Sequence, residues 1–315
     1  MKWSNTVSWA AMWMALSGGL QAAVTIGQTD GTGIVAGASV LGDTVSLGVL
    51  PAASSVNAPA PATDNDGTNL NVAGNTSVAV NIPLVGNNIS VNVNALSVTG
   101  VLNTSATSDV DGGGGSKSAS GTATLTGANV GLGGTSYTIP VVGTLVSTPA
   151  VISITATTIQ STSTVSGDYG TFSPVGSTLL ANFALSVNGG TAVGLGGLTL
   201  VGGGNLVLGT HFDASGNILL PNLSINLGAL DSSLAGAALI LNQQSVTNNA
   251  GLASIDTTAL SLDVTSLTVG PVTNGLTVNL DLSESSAQLA AVPEISTVSA
   301  LLGSFCVLGL LRRRR

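Results

Sequence analysis

The chain has 315 residues, of which 44% are hydrophobic and only 6% are charged, and its formal net charge is −8. Its content of Val, Leu, Ile and Ala is enough to build a large core, so the composition excludes an intrinsically disordered chain. The six Lys and Arg residues exclude a nucleic-acid-binding surface, because phosphate recognition needs clustered basic side chains.

Residues 1–22 are typical of a secretory signal peptide. Lys2 supplies the positively charged n-region, and an apolar stretch follows it. The small residues Ala22 and Ala23 suit cleavage by signal peptidase after Ala22 or after Ala23. We therefore expect export through the Sec translocon and processing by signal peptidase. The exported body then spans residues 23–291 and forms one β domain or two subdomains.

The body is acidic and lacks cysteine. Lys117 is its only basic residue, and Glu294 is the only one of the 14 acidic residues that lies outside it. Cys306, the single cysteine, lies in the C-terminal apolar run. The stability of the body must therefore come from its core and its backbone pairing and not from disulfides. One His and no Cys also exclude a zinc site in the body.

Stretches in which apolar and small polar residues alternate predict β-strands along the whole body. Alternation of period two gives a strand one buried and one solvated face, and Val, Ile and Thr favour that setting. Residues 232–244 are ambiguous between helix and strand. The predicted strands lie within 77–82, 88–101, 122–132, 150–159, 198–209, 218–230, 259–269 and 275–282.

Turn residues separate these strands and indicate how they are arranged. Turns are predicted at 64–67, 111–116, 166–170 and 187–190. Residues 58–69 are expected to form a linker or long loop, and 105–120 a flexible loop between strands. This spacing predicts an all-β fold with an antiparallel β-sandwich-like body. A β-solenoid is the alternative, but no repeat of fixed length persists along the chain.

Four aspartates are weak candidates for calcium binding. Asp64 with Asp66, and Asp109 with Asp111, place carboxylates on alternate residues beside a glycine, and Ca²⁺ takes 6–8 oxygen ligands. The segment Asp213–Asn217 is similar. However, no stretch completes a twelve-residue loop with a closing Glu, and the same spacing is common in ordinary turns. We therefore expect plain turns, with no metal and no cofactor.

The body offers little catalytic chemistry. Only His211 can act as a base near neutral pH without a large pKa shift, and the body contains no Cys nucleophile and no Arg. We therefore expect that the protein is not an enzyme. Carbohydrate binding is an alternative, although only five side chains in the body offer an aromatic surface for a sugar: Tyr137, Tyr169, Phe172, Phe183 and Phe212.

The C-terminus combines an apolar run with a basic cluster. Residues 298–311 carry no charge, and a helix over them would be about 21 Å long. The hydrocarbon core of a bilayer is about 30 Å thick, and snorkelling Arg side chains would narrow the difference. Since cationic flanks stay on the cytoplasmic side, we expect one transmembrane helix with the body outside and the Arg cluster inside.

The whole segment 292–315 resembles the PEP-CTERM sorting signal of exopolysaccharide-producing Gram-negative bacteria, although the second Pro of the family is Ile295 here. The resemblance implies that a membrane-embedded exosortase recognises the tail and cuts near Pro293 and Glu294. The body would first be anchored in the inner membrane and then reach the cell surface or the extracellular matrix. The matching residues are Val292, Pro293, Glu294, Ser296, Thr297, the run 298–311, Arg312, Arg313, Arg314 and Arg315.

The body also resembles, more loosely, the bacterial surface modules named for their choice of alternative anchors. The similar stretches are ISVNVNALSVTG, SASGTATLTGANVGLGG and ALSLDVTSLTVGPVTNGLTVNLDLSESSA. This resemblance implies a surface role without a known activity. Together the observations predict a non-enzymatic protein of the cell surface, biofilm or extracellular matrix. The alternative is a carbohydrate-binding module, for which exopolysaccharide is the candidate partner.

Overall fold

The computed structural model describes residues 22–45, 47, 54–81, 88–139, 143–190, 193–194, 199–200, 206–207, 213, 215–229, 231–269 and 272–293. Residues 1–21 of the predicted signal peptide, and the sorting signal beyond Pro293, lie outside these residues. Within the described ranges no helix is long and apolar enough to cross a membrane. The predicted transmembrane helix 298–311 lies outside them.

Most of the described residues are in β-strands, and none is in an α-helix, which confirms the all-β prediction. The only helical segments among them are two short 3₁₀ turns, Leu227–Ala229 and Ser232–Leu234. The strands are β1 (Ala22–Val40), β2 (Asp43–Thr44), β3 (Ser54–Ala58), β4 (Ala62–Asn81), β5 (Asn88–Ser108), β6 (Lys117–Ile139), β7 (Gly143–Thr148), β8 (Ile152–Gly167), β9 (Ser173–Ala181), β10 (Ala184–Val187), β11 (Val193–Gly194), β12 (Thr199–Leu200), β13 (Leu206–Val207), β14 (Leu223–Asn226), β15 (Ala237–Asn248), β16 (Leu252–Val269) and β17 (Val272–Pro293).

Most strands belong to two sheets, in which neighbouring strands are antiparallel. Sheet A has the order β14-β15-β16-β17-β1-β2, with β3 also paired to β1. Sheet B has the order β11-β10-β8-β6-β5-β4, with β7 on β6 and β9 on β8. β12 and β13 pair with each other. The first and last described strands are therefore neighbours, and Ala22 pairs with Pro293 at their common end.

The two sheets face each other across a large apolar core. The alternation of apolar and polar residues along the strands supplies this core. In β8, Ile152 and Ile154 are buried, while the residues between and beside them are partly exposed. Leu262 and Leu280 of sheet A belong to the same cluster and are fully buried. Burying each such side chain contributes about 1.5–3 kcal/mol. A smaller core lies toward the paired ends of β1 and β17 and includes Phe172, Ile255 and Leu289.

Between the two cores lies a band of small and hydroxyl-bearing residues, which we call the waist: Gly31, Gly121, Ser163, Thr257 and Ser285. The Ser163 hydroxyl lies 2.9 Å from both Thr257 Oγ1 and the Ser285 carbonyl oxygen. The Ser285 hydroxyl lies 3.1 Å from Ser163 Oγ. A Cβ on Gly121 would lie 2.4 Å from the Asp30 carbonyl oxygen of the facing sheet. The two backbones therefore approach closely at the waist.

β1 is a strand that the alternation pattern did not predict. Its sequence is rich in glycine, which usually weakens a strand. Here the glycines make room for the facing sheet, since a Cβ on Gly33 would lie 2.0 Å from a methyl carbon of Leu102. Tertiary packing thus overrides the low β propensity of glycine.

Three other predictions of local structure need correction. Residues 64–67 are not a turn, and 62–69 are not a loop, because they form the start of β4 and pair with β5 from Ser108 to Val101. The ambiguous segment 232–244 becomes a 3₁₀ turn followed by strand β15. The loop predicted over 105–120 is shorter than expected, because β5 extends to Ser108 and β6 begins at Lys117, which leaves 109–116 between them. The turns predicted at 111–116, 166–170 and 187–190 do separate strands.

Candidate functional site

The outer face of sheet A carries an acidic row formed by Asp30, Asp256 and Glu284. Asp30 and Asp256 both pair with Ser286, on either side of β17, and Glu284 lies two residues from Ser286 on the same face. A cavity of about 310 Å³ opens here and is lined also by Thr32, Ser285 and Ser286. The Ser286 hydroxyl donates a 3.3 Å hydrogen bond to Asp30 Oδ2.

The acidic row brings carboxyl groups of like charge together, and among the described residues none of them forms an ion pair. Partial burial raises the pKa of Glu284, and the neighbouring Asp281, Asp256 and Asp30 raise it further. Burial and Asp30 raise the pKa of Asp256 in the same way. The three carboxyls do not form a metal site: the described ranges contain no group of three or more His, Cys, Asp or Glu side chains with that geometry. The one ion pair within the described ranges, between Lys117 and Asp111, lies elsewhere.

An uncharged cleft of about 230 Å³ lies on sheet B and is lined by Asn75, Asn92, Asn94, Gly134, Thr135, Ser136, Thr148 and Ala150. We call it the Asn cleft. It lies on the outer face of the sheet, because Asn92 and Asn94 alternate along β5 with Val91 and Val93, which belong to the large core. Asn94 pairs with Asn75 on one side and with Gly134 on the other.

Hydrogen bonding in the Asn cleft is incomplete. The Ser77 hydroxyl donates a 2.5 Å hydrogen bond to Asn92 Oδ1, and the hydroxyls of Thr135 and Thr148 lie 2.6 Å apart. Asn94 Oδ1 is buried and accepts no hydrogen bond from any described residue. An unpaired buried acceptor is costly, and rotation of this amide exchanges its acceptor and donor ends. Asn94 is therefore the cleft residue with unused hydrogen-bonding capacity.

The aspartates considered for calcium each have a local structural partner. Asp64 Oδ2 accepts a 3.0 Å hydrogen bond from the Ser55 amide, and Asp66 Oδ1 one of 2.7 Å from the Gly67 amide. Asp109 accepts from both the amide and the hydroxyl of Ser118. Asp111 forms a 2.6 Å ion pair with Lys117, which, with the Gly113 amide, lowers the pKa of that carboxyl.

The other side chains singled out in the sequence do not converge on a site. His211 and Phe212 lie outside the described residues. Phe172 and Phe183 are buried, and Tyr137 packs against the large core. Tyr169 is 41% exposed, but it is not among the residues that line the Asn cleft. No aromatic wall for a sugar is therefore formed by these described residues.

The predicted cleavage sites at the two ends of the body lie side by side. Ala22 pairs with Pro293, and Ala23 pairs with Val292. Strand β17 thus extends two residues into the predicted sorting signal, and β1 begins at the last residue of the predicted signal peptide. The remaining residues of the sorting signal, Glu294 to Arg315, lie outside the described part of the chain.

No protein-family model matches the chain, and no curated protein matches it.

Neither the Asn cleft nor the acidic row was predicted from the sequence. The sequence does contain a signal for the Asn cleft, because the stretch 91–94 alternates Val and Asn and so places two amides on one solvated face. It contains no such signal for the acidic row, since Asp30, Asp256 and Glu284 lie on three separate strands. Only the pairing of β1, β16 and β17 brings them together.

Proposed function

We propose that this is a non-enzymatic protein of the cell surface or extracellular matrix, exported and then sorted through its C-terminal tail. A signal peptidase removes residues 1–22, and an exosortase recognises the segment 292–315 and cuts near Pro293 and Glu294. Before that cut, the tail helix 298–311 holds the protein in the inner membrane. The body in this proposal is an antiparallel β-sandwich, which the packing of sheets A and B against each other across buried apolar side chains supports.

The pairing of Ala22 with Pro293 is the observation that best supports this proposal. Both membrane-directed segments leave the body at the same end of two neighbouring strands. A body held by its tail would therefore stand on the membrane by that end. The rest of both sheets, with the Asn cleft and the edges, would remain accessible from outside.

The position of β17 also suits a protein held by its C-terminus. β17 lies between β16 and β1 and pairs with both over most of its length. Antiparallel hydrogen bonds run perpendicular to the strands, so a pull on the tail along β17 loads many of them together. An edge strand in this position could be peeled away one bond at a time.

The test compares two tail variants in the native host. Replacing Pro293 and Glu294 with Ala should leave the anchor but prevent cutting, so the chain stays in the membrane at full length. Replacing Arg312 to Arg315 with Ser removes a barrier of about 2.5–3.5 kcal/mol per Arg. That chain should leave the membrane uncut. Immunoblots of membrane and medium fractions distinguish these outcomes, and normal trimming of the Pro293/Glu294 variant would refute sorting by an exosortase.

The second candidate function is carbohydrate binding, and the Asn cleft is the observation that favours it. Its lining is polar and uncharged, as a neutral, hydroxyl-rich ligand such as an exopolysaccharide requires. Asn94 has hydrogen-bonding capacity to offer such a ligand. Without an aromatic wall we expect weak binding, with a dissociation constant on the order of 1 mM.

A glycan array with a matched pair of glycine variants tests this second candidate. A Cβ on Gly134 meets its nearest atom, the Thr148 carbonyl oxygen, at 3.6 Å, so Gly134→Ala adds a methyl group to the cleft without a clash. Gly37, on the outer face of sheet A, has no atom within 4 Å of such a Cβ, so Gly37→Ala is the control. Saturable binding that only Gly134→Ala weakens supports the module, and silence of the array refutes it.

A further inference from the structure

β4 forms a long edge of sheet B among the described strands. It has 20 residues, and it stands last in the strand order, with β5 as its one partner among those strands. In the described part of the chain, no backbone hydrogen bond joins β4 to a segment on its other side. Every second residue of an edge strand directs its N–H and C=O groups outward, so β4 presents a row of groups that no other described strand pairs with.

The other described edges are much shorter or partly covered. At the opposite side of sheet B, β11 has 2 residues and β9 has 9. In sheet A, β14 has 4 residues, and β1 is covered in part by β2 and β3. β4 is therefore the edge with the largest capacity for pairing with another strand.

β4 also lacks most of the features that protect edge strands. Natural edges are blocked by Lys, by Pro, by bulges or by short length. Residues 62–81 contain no Lys, Arg or Pro, and the one irregularity is the register shift between Gly74 and Asn75. The only charges are those of Asp64 and Asp66, near the start of the strand. The stretch 68–77 is uncharged, and its side chains at Asn69, Asn71, Ala73 and Asn75 are exposed.

From this edge we infer that β4 pairs with β4 of a second copy of the protein, antiparallel and about a two-fold axis near Asn71. The two sheets B then form one continuous sheet across the dimer. Such an isologous contact is closed, so it yields dimers and not open filaments.

The positions of the two carboxylates select this arrangement over a parallel one. With the axis at Asn71, Asp66 faces Thr76 and Asp64 faces Val78 of the second copy. The two Asp66 residues are then about 34 Å apart at roughly 3.4 Å per residue, which is well beyond a Debye length of about 8 Å. A parallel pairing in register would place each Asp directly opposite its own copy, which destabilises a sheet.

A foreign strand is a weaker candidate than a second copy. The edge is polar and nearly uncharged, so it carries neither the charge nor the apolar side chains that would select a particular peptide. A second copy matches its length residue for residue and separates the charges, and export to one surface brings copies together. The inference does not depend on how the tail is processed.

A charged substitution at the proposed two-fold axis tests the pairing of β4 between the two copies. Asn71→Lys places two Lys side chains opposite each other across the axis, and the residue is exposed, so the fold of one copy is unaffected. The matched control is Asn279→Lys, on the exposed outer face of β17, where β16 and β1 already occupy both sides. Sedimentation equilibrium of the full chain in mild detergent measures the dimer.

We expect the unchanged chain to dimerise and Asn71→Lys to raise the dissociation constant about tenfold or more, while Asn279→Lys leaves it unchanged. A monomer at concentrations on the order of 100 μM would overturn the inference. A dimer that Asn71→Lys does not weaken would overturn it as well.

Cysteine cross-linking tests the orientation separately, in a Cys306→Ser background. Asn71→Cys should form a disulfide between copies, because residues opposite each other lie within the Cα separation of about 4.4–6.8 Å that a disulfide needs. Thr63→Cys should not, since the two copies of that position would lie about 54 Å apart. Equal cross-linking at both positions would show parallel pairing and refute the two-fold contact.

Discussion

Sheets A and B meet in two different ways within one interface. Across the large core, branched side chains such as Ile154 and Leu262 fill the space between the sheets. At the waist the facing residues are glycines and hydroxyl-bearing Ser and Thr, and the backbones of the two sheets approach each other closely. The comparison teaches that a strand pattern of small polar residues does not always mark a solvated surface: along β8, Ser161 and Ser163 are as buried as Ile159.

The large core and the waist differ in what stabilises them and in which substitutions they tolerate. The large core gains stability from apolar area but is sensitive to any loss of volume. The waist gains little apolar burial and depends on hydroxyl pairing and on the absence of Cβ atoms. We therefore expect the large core to be sensitive to the loss of apolar side chains, and the waist to the addition of a Cβ or the loss of a paired hydroxyl.

The largest effect is expected from a deletion in the large core. Leu262→Ala removes a fully buried side chain and should lower the free energy of unfolding by about 2–5 kcal/mol. Val246, which is 53% exposed, provides the control, and Val246→Ala should change the free energy by less than about 0.5 kcal/mol. Urea denaturation followed by circular dichroism measures both. Equal effects of the two changes would mean that the sheets do not pack as described.

An addition at the waist should be nearly as harmful. In Gly121→Ala the new Cβ would lie 2.4 Å from the carbonyl oxygen of Asp30 and 2.5 Å from that of Ser286. Backbone atoms must then move apart, and we expect a loss of about 1–3 kcal/mol. Gly37→Ala, in an exposed position without near atoms, should be neutral or slightly stabilising. A neutral Gly121→Ala in the same denaturation assay would contradict the close approach of the sheets.

Two serines on β8 give a finer comparison. Ser163 has hydrogen-bond partners, whereas Ser161 Oγ is buried and has no described partner. Ser163→Ala should lower the free energy of unfolding by about 1 kcal/mol, and Ser161→Ala should be neutral or stabilising, because it removes an unpaired hydroxyl. The difference between the two melting temperatures is the readout. The hydrogen-bond network would be wrong if Ser161→Ala were the more harmful change.

The smallest effect concerns pH and the acidic row above the waist. Because the pKa values of Asp256 and Glu284 are raised in the fold, their ionisation destabilises it. The free energy of unfolding should therefore rise as pH falls from neutral through these pKa values, and the gain is complete below their unfolded values of about 4. Both carboxyls are partly exposed, so we expect less than about 1 kcal/mol.

A double variant checks the source of this pH dependence. Asp256→Asn with Glu284→Gln removes both titrating groups, and it should flatten the rise in stability between pH 7 and about pH 4. The lowered pKa values of Asp111, Asp213 and Asp231 oppose the rise, but these groups are exposed and well screened. If the double variant kept the same slope, the acidic row would not be its cause.

The sequence predicted the strands whose alternation reflects an ordinary apolar core. The runs at 122–132, 259–269 and 275–282 all lie within strands of the structure. β1 escaped prediction because three of its buried positions are glycines, of which Gly33 admits Leu102 and Gly31 admits the backbone of β6. The Asp-rich start of β4 was mistaken for a turn, since Asp, Asn and Gly favour turns locally. Pairing with β5 decides its conformation, and local sequence contains no record of that partner.

The candidate sites also divide into those that local sequence predicts and those that depend on strand pairing. The two amides of the Asn cleft on β5 could be located on one face from the alternation of Val and Asn. The acidic row, the waist and the pairing of Ala22 with Pro293 each include at least two residues that are more than 200 positions apart in the sequence. Their formation therefore depends on which strands become neighbours in the fold. A single sequence does not specify which long strands become neighbours.

The most direct test of the proposed function is the determination of both termini of the protein recovered from the native cell surface or medium. Intact mass spectrometry with sequencing of the terminal peptides gives them in one measurement. We predict an N-terminus at Ala23 or Val24 and a C-terminus at or next to Pro293, so that both cuts fall at the paired ends of β1 and β17. A surface protein that still carries Arg312 to Arg315 would contradict the proposal that the tail is a processed sorting signal.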